Sequence, residues 1–97
     1  MTSEADWPES TVETMTGFRD RIDVLDAKMI YLLGERFAVI DEVAAFKKLA
    51  DVPVVLPDRI EEIKNRAVEL GLTCGLDPDF LRDLYDRIIA ASIAREE

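Results

Sequence analysis

Between Thr14 and Ala50 the chain contains no proline, and one apolar row runs through the whole stretch. Phe18, Ile22, Leu25, Met29 and Leu32, then Val39, Val43 and Phe46, step by four and three once position 36 is counted in. That alternation is a heptad seam and predicts one continuous helix; Gly34 within it weakens the helix without ending it. A helix of roughly 37 residues is about 55 Å long, whereas a compact chain of 97 residues has a radius of gyration of only about 12–13 Å. The overhang needs a second chain to cover it. A homodimer with long helices paired across a twofold axis is the simplest arrangement that does so.

The prolines of Asp51-Val52-Pro53-Val54-Val55-Leu56-Pro57 end that helix and make an extended linker, since no partner strand occurs elsewhere. A second helix is expected from Pro57-Asp58 to Gly71, with Ile60, Ile63, Ala67 and Leu70 on one face and Gly71 as its C-terminal stop. Asp77-Pro78 starts a third that runs to the C-terminus, its inner face formed by Leu81, Leu84, Tyr85, Ile88, Ile89, Ser92 and Glu96. The expected class is all-α, with one long and two shorter helices per chain in a dimeric bundle spanning residues 14–97. Residues 1–13 carry Glu4, Asp6, Glu9 and Glu13, no base and no apolar period, and are expected to be a disordered acidic tail in which Trp7 is unengaged.

Composition narrows the chemistry. Twelve basic against 21 acidic residues give a net charge of −9, which disfavours nucleic acid and anionic membranes as partners. There is no histidine and only one cysteine, Cys74, so a His-dependent triad, a disulfide framework and a CxxC zinc site are excluded. The N-terminal residues lack a basic stretch followed by an apolar one, and no run of 18 apolar residues occurs, which suggests a cytoplasmic protein.

Against this background several charges are misplaced. Arg36 occupies a seam position flanked seven residues away by Met29 and Val43, so a guanidinium points at the interior. It could set the register of the helices or snorkel to water. Lys47, eleven residues on, returns to within about 20° of the same face. Arg19 lies about 100° around the helix from Arg36 and could serve such a pocket only across a dimer axis. Arg59 sits in the first turn of the second helix, where the helix dipole disfavours a cation. Ser92 and Glu96 are one turn apart on the inner face of the third helix. Cations directed into one interior suit a small polyanion, and arginine grips a carboxylate through paired hydrogen bonds. A reaction that can run there without His, Cys, metal or a Gly-rich phosphate loop is one that reorganises bonds within its substrate, guided by orientation and charge.

The ordered set Phe18-Arg19-Asp20-Arg21-Ile22-Asp23-Val24-Leu25-Asp26, Leu32-Leu33-Gly34-Glu35-Arg36-Phe37, Phe46-Lys47, Pro57-Asp58-Arg59, Gly75-Leu76-Asp77-Pro78-Asp79-Phe80 and Ile88-Ile89-Ala90-Ala91-Ser92-Ile93 resembles the all-helical chorismate mutases across residues 17–97. The resemblance implies an intertwined homodimer that rearranges chorismate to prephenate without a cofactor. It also implies that Arg36 grips one substrate carboxylate and that Arg19 reaches the other from the second subunit. Lys47 would then donate to the ether oxygen, with Arg59 and Ser92 lining the pocket near the ring.

Two positions depart from the family pattern. Glu96 stands where many members have a glutamine that donates to the ether oxygen, so it would have to carry a proton to do the same. Ile60 stands where typical members have a glutamate that binds the substrate hydroxyl. An apolar residue there resembles isochorismate pyruvate lyases and mutases of 4-amino-4-deoxychorismate, which leaves those two substrates open beside chorismate. A non-catalytic helical dimerisation or metabolite-binding module is the reading of another class, supported by the seam alone.

Overall fold

The carbonyl of Pro8 accepts hydrogen bonds from the amides of Thr11 and Val12, at 3.0 and 3.1 Å, and from there the chain is helical for 42 residues. This computed structural model describes residues 3–97. The long helix α1 spans Glu9–Ala50 and starts five residues before the expected start at Thr14. Its first turn needs no apolar face, because Pro8 fixes the entry and Glu9 suits the positive end of the helix dipole. Of the stretch 1–13 read as a disordered tail, residues 1 and 2 lie outside the described residues. Ser3 caps a single 3-10 turn at Glu4–Asp6, its hydroxyl accepting from Ala5 and its amide donating to Asp6.

The chain divides into two compact units, Met1–Arg36 and Phe37–Glu97. In the first, the seam residues Phe18, Ile22, Leu25, Met29 and Leu32 are each between 50% and 62% exposed, and no residue of α1 is buried.

In the second unit, α2 (Pro57–Leu72) and α3 (Pro78–Glu96) pack together and the C-terminal part of α1 joins α3. Pro78 opens α3 behind its cap Asp77, whose carboxylate accepts from the amide of Phe80 at 2.9 Å. The buried apolar residues are Leu81 and Ile89, with Ser92 and Glu96 buried along the same helix. Lys64 pairs with Asp86 at 2.7 Å and Arg82 donates to Asn65 at 3.0 Å, tying α2 to α3 on the outside.

The expected role of Gly71 is corrected. The helix runs through it to Leu72, and the left-handed position falls later, at Gly75, with φ +73°. Gly71 is the one buried residue of α2, and a Cβ built on it would collide with Cδ1 of Leu81. Its lack of a side chain is what lets α2 approach α3. Between Asp51 and Leu56 the chain is an irregular linker, and no strand occurs among the described residues. No helix among them is long and apolar enough to cross a membrane.

Candidate active site

The heptad phase of α1 and the inner face of α3 bring Lys47 and Glu96 together. The ammonium of Lys47 lies 2.7 Å from Oε1 of Glu96, with side-chain exposures of 13% and 6%. Oε1 has no accessible surface and receives no well-aligned hydrogen bond, so Lys47 balances its charge without saturating it. A buried carboxylate is costly unless paired, and the pair stands only because both side chains are held in place. Lys47 also donates to the carbonyl of Val54 at 2.9 Å, so the linker closes over it.

The pair opens on a cavity of about 390 Å³ lined by Ala44, Lys47, Lys48, Asp51, Val52, Val54, Glu96 and Glu97. Arg59, Ile60 and Ser92, expected near the same substrate, are not among its lining residues. Ser92 is buried one turn before Glu96, and its hydroxyl donates to the carbonyl of Ile88 at 2.8 Å. Arg59 is exposed on α2 and pairs with Glu62 at 2.7 Å. Ile60 beside it is half-buried.

Nearby, Arg95 of α3 forms a two-pronged contact with Asp41 of α1, at 2.9 and 2.6 Å, and its guanidinium carbon lies 5.1 Å from the ring centroid of Phe37. That hydrogen bonding holds the Asp41 carboxyl below its ordinary value and the Arg95 guanidinium above its own. The contact lies one residue from Glu96, and only its three-dimensional setting reveals it.

Arg36 and Arg19 belong to the first unit. Arg36 is half-buried. Arg19 pairs with Glu4 and lies over Trp7, its guanidinium carbon 5.9 Å from the ring centroid. Trp7, expected to be unengaged, is thus half-buried beneath the Arg19 guanidinium. The hydrogen bond from Arg19, and then its charge, hold the Glu4 carboxyl below its ordinary value.

The family described as chorismate mutase type II matches residues 18–97. The 4-amino-4-deoxychorismate mutase of Streptomyces pristinaespiralis is 30% identical over 90 residues, covering 93% of this chain and 70% of that protein. The protein of the same name from Streptomyces venezuelae is 34% identical over 71 residues, or 73% of this chain and 69% of the relative. The bifunctional chorismate mutase/prephenate dehydratase of Escherichia coli is 31% identical over 83 residues, 86% of this chain but 22% of that longer protein.

Proposed function

The chain belongs to the chorismate mutase type II family, a family of isomerases, and from that premise we propose that it acts as a homodimeric, cytoplasmic enzyme on chorismate, giving prephenate. In this reaction the ether carbon–oxygen bond of the enolpyruvyl group breaks while its methylene carbon bonds to the ring. No proton, electron or cofactor enters or leaves. What an active site can add is a fixed substrate conformation and stabilisation of the negative charge that grows on the ether oxygen.

In this reading Arg36 and Arg19 of the partner subunit each take one substrate carboxylate, through the paired donors a guanidinium offers. Lys47 and a protonated Glu96 donate to the ether oxygen. Arg59 and Ser92 line the ring side, with Ile60 beside them. The observation that carries the proposal is the Lys47–Glu96 pair, two ionisable groups held 2.7 Å apart at the mouth of a cavity. A helical bundle gains little stability from such a pair compared with apolar packing, which points to a use in chemistry. The exposed seam of α1 supports the dimer, because a row of large apolar residues left in water is a surface that association covers.

A second reading concerns the substrate. Ile60 offers no hydrogen bond to a ring hydroxyl, and two of the relatives above are named for the 4-amino-4-deoxy compound. Both readings keep every residue role. They separate in one experiment, in which the metal-free protein is incubated in parallel with chorismate, isochorismate and 4-amino-4-deoxychorismate and products are identified by proton NMR. Prephenate as the fastest product supports the first reading, and aminodeoxyprephenate the second. Salicylate with pyruvate would move the assignment to a lyase, and silence on all three to a non-catalytic module.

A further inference from the structure

Lys47 is held at both ends by the seven residues that follow it. Its carbonyl accepts from the amide of Val52 at 2.9 Å, and its ammonium donates to the carbonyl of Val54 at 2.9 Å. The first of these bonds closes the end of α1 in a motif whose penultimate residue must adopt left-handed backbone. That residue is Asp51, with φ 58°, where glycine is the usual occupant. No other non-glycine residue among those described has a positive φ. A carboxylate at this place also faces the negative end of the helix dipole, so two local preferences are broken at one position. Strain of this kind persists where the surrounding structure enforces it, and it gathers at functional sites. Here it reverses the chain so that the Val54 carbonyl returns to the last turn of α1, above the Lys47 side chain.

We propose that the left-handed turn at Asp51 positions Lys47 for the reaction. By fixing the linker it commits one ammonium donor to Val54, and with Glu96 at 2.7 Å it orients the ammonium before substrate arrives. A lysine stem has more rotamer freedom than almost any other side chain, so an ammonium left loose would have to be ordered during the reaction. Asp51 touches no reacting atom in this scheme. It is a positioning residue, acting through its backbone conformation and through Lys47. The inference rests on the role given to Lys47 under Proposed function.

The test is steady-state kinetics of the full chain with chorismate and with 4-amino-4-deoxychorismate, at a temperature where circular dichroism shows each variant folded. Asp51→Val, whose branched side chain resists positive φ, should lower kcat about tenfold while KM stays within about twofold. Asp51→Gly, which keeps the backbone free to adopt the turn, should retain kcat within about twofold of the parent. In a Lys47→Gln background Asp51→Val should cause no further loss, because the residue it orients is gone. Equal losses in Asp51→Gly and Asp51→Val would show that the carboxylate itself acts, and would overturn the proposal. So would an undiminished kcat in Asp51→Val, or the same tenfold loss in the Lys47→Gln background. If Asp51→Val does not fold, Asp51→Asn and Asp51→Ala replace it, with kcat expected to fall in the order Gly, Asn, Ala and the proposal overturned by any other order. Wild-type turnover in Lys47→Gln is a different failure, since it removes Lys47 from the chemistry whatever Asp51 does.

Discussion

The ammonium of Lys47 and a carboxylate oxygen of Glu96 lie 2.7 Å apart, joining the last turns of α1 and α3 at the edge of one cavity. A carboxylate accepts hydrogen bonds and donates one only when protonated. If a donor at this position serves the ether oxygen, Glu96→Gln, whose amide always donates, should keep or raise kcat/KM for the preferred substrate, whereas Glu96→Ala should lower it severalfold. Initial rates of the two variants decide the matter, and equal rates in both remove Glu96 from the chemistry.

Gly71→Ala sets two effects of opposite sign against each other. Alanine in a helix interior is favoured over glycine by about 1 kcal/mol, while overpacking a filled site costs about 1–3 kcal/mol. Because the new methyl meets buried Leu81, overpacking should win, for a net loss of about 1 kcal/mol. Gly17→Ala meets no atom within 4 Å and should instead stabilise by up to about 1 kcal/mol. Urea titration of both variants reads the sign directly, and adding Leu81→Val to Gly71→Ala should recover part of the loss.

The Arg95–Asp41 contact makes part of the stability pH-dependent. The folded-state value of Asp41 is depressed, first by the hydrogen bond from Arg95. Its contribution is therefore present above the ordinary carboxylate range and is lost as pH falls through that depressed value. The melting temperatures of the parent and Asp41→Asn should differ by a constant, small amount from pH 8 to 5 and converge below about pH 4. Thermal melts at four or five pH values test this, and a gap that widens in acid would contradict it.

If Arg19 serves a substrate carboxylate, Glu4 competes for the same guanidinium. The two groups are exposed, so the competition is mild and screened by salt. Glu4→Gln should lower KM about two- to threefold at low ionic strength with kcat unchanged, and the difference should vanish in concentrated salt. A KM that does not respond to Glu4→Gln would separate this contact from substrate binding.

Much of this architecture is written in periodicity and punctuation. The seam from Phe18 to Phe46, the two prolines of the linker and the Asp77-Pro78 cap place all three helices, and the inner face of α3 carries Ser92 and Glu96 into burial as its spacing implies. What escapes the sequence depends on three-dimensional neighbours. Gly71 reads as a stop because glycine often ends a helix, yet only the approach of Leu81 explains it. Asp51 carries no sign of a left-handed residue, since aspartate is an uncommon occupant of that position. Trp7 and Glu4 look idle because their partner, Arg19, lies more than a helical turn beyond the start of α1.

The exposed row from Phe18 to Leu32 has a consequence for the protein in the cell. In the proposed homodimer that row is covered only by association, so folding and assembly are one equilibrium governed by mass action. Each tenfold dilution then removes about 1.4 kcal/mol from the folded dimer. Expression level and point substitutions therefore act on the same quantity, and halving the supply of chain has the effect of a small destabilising mutation.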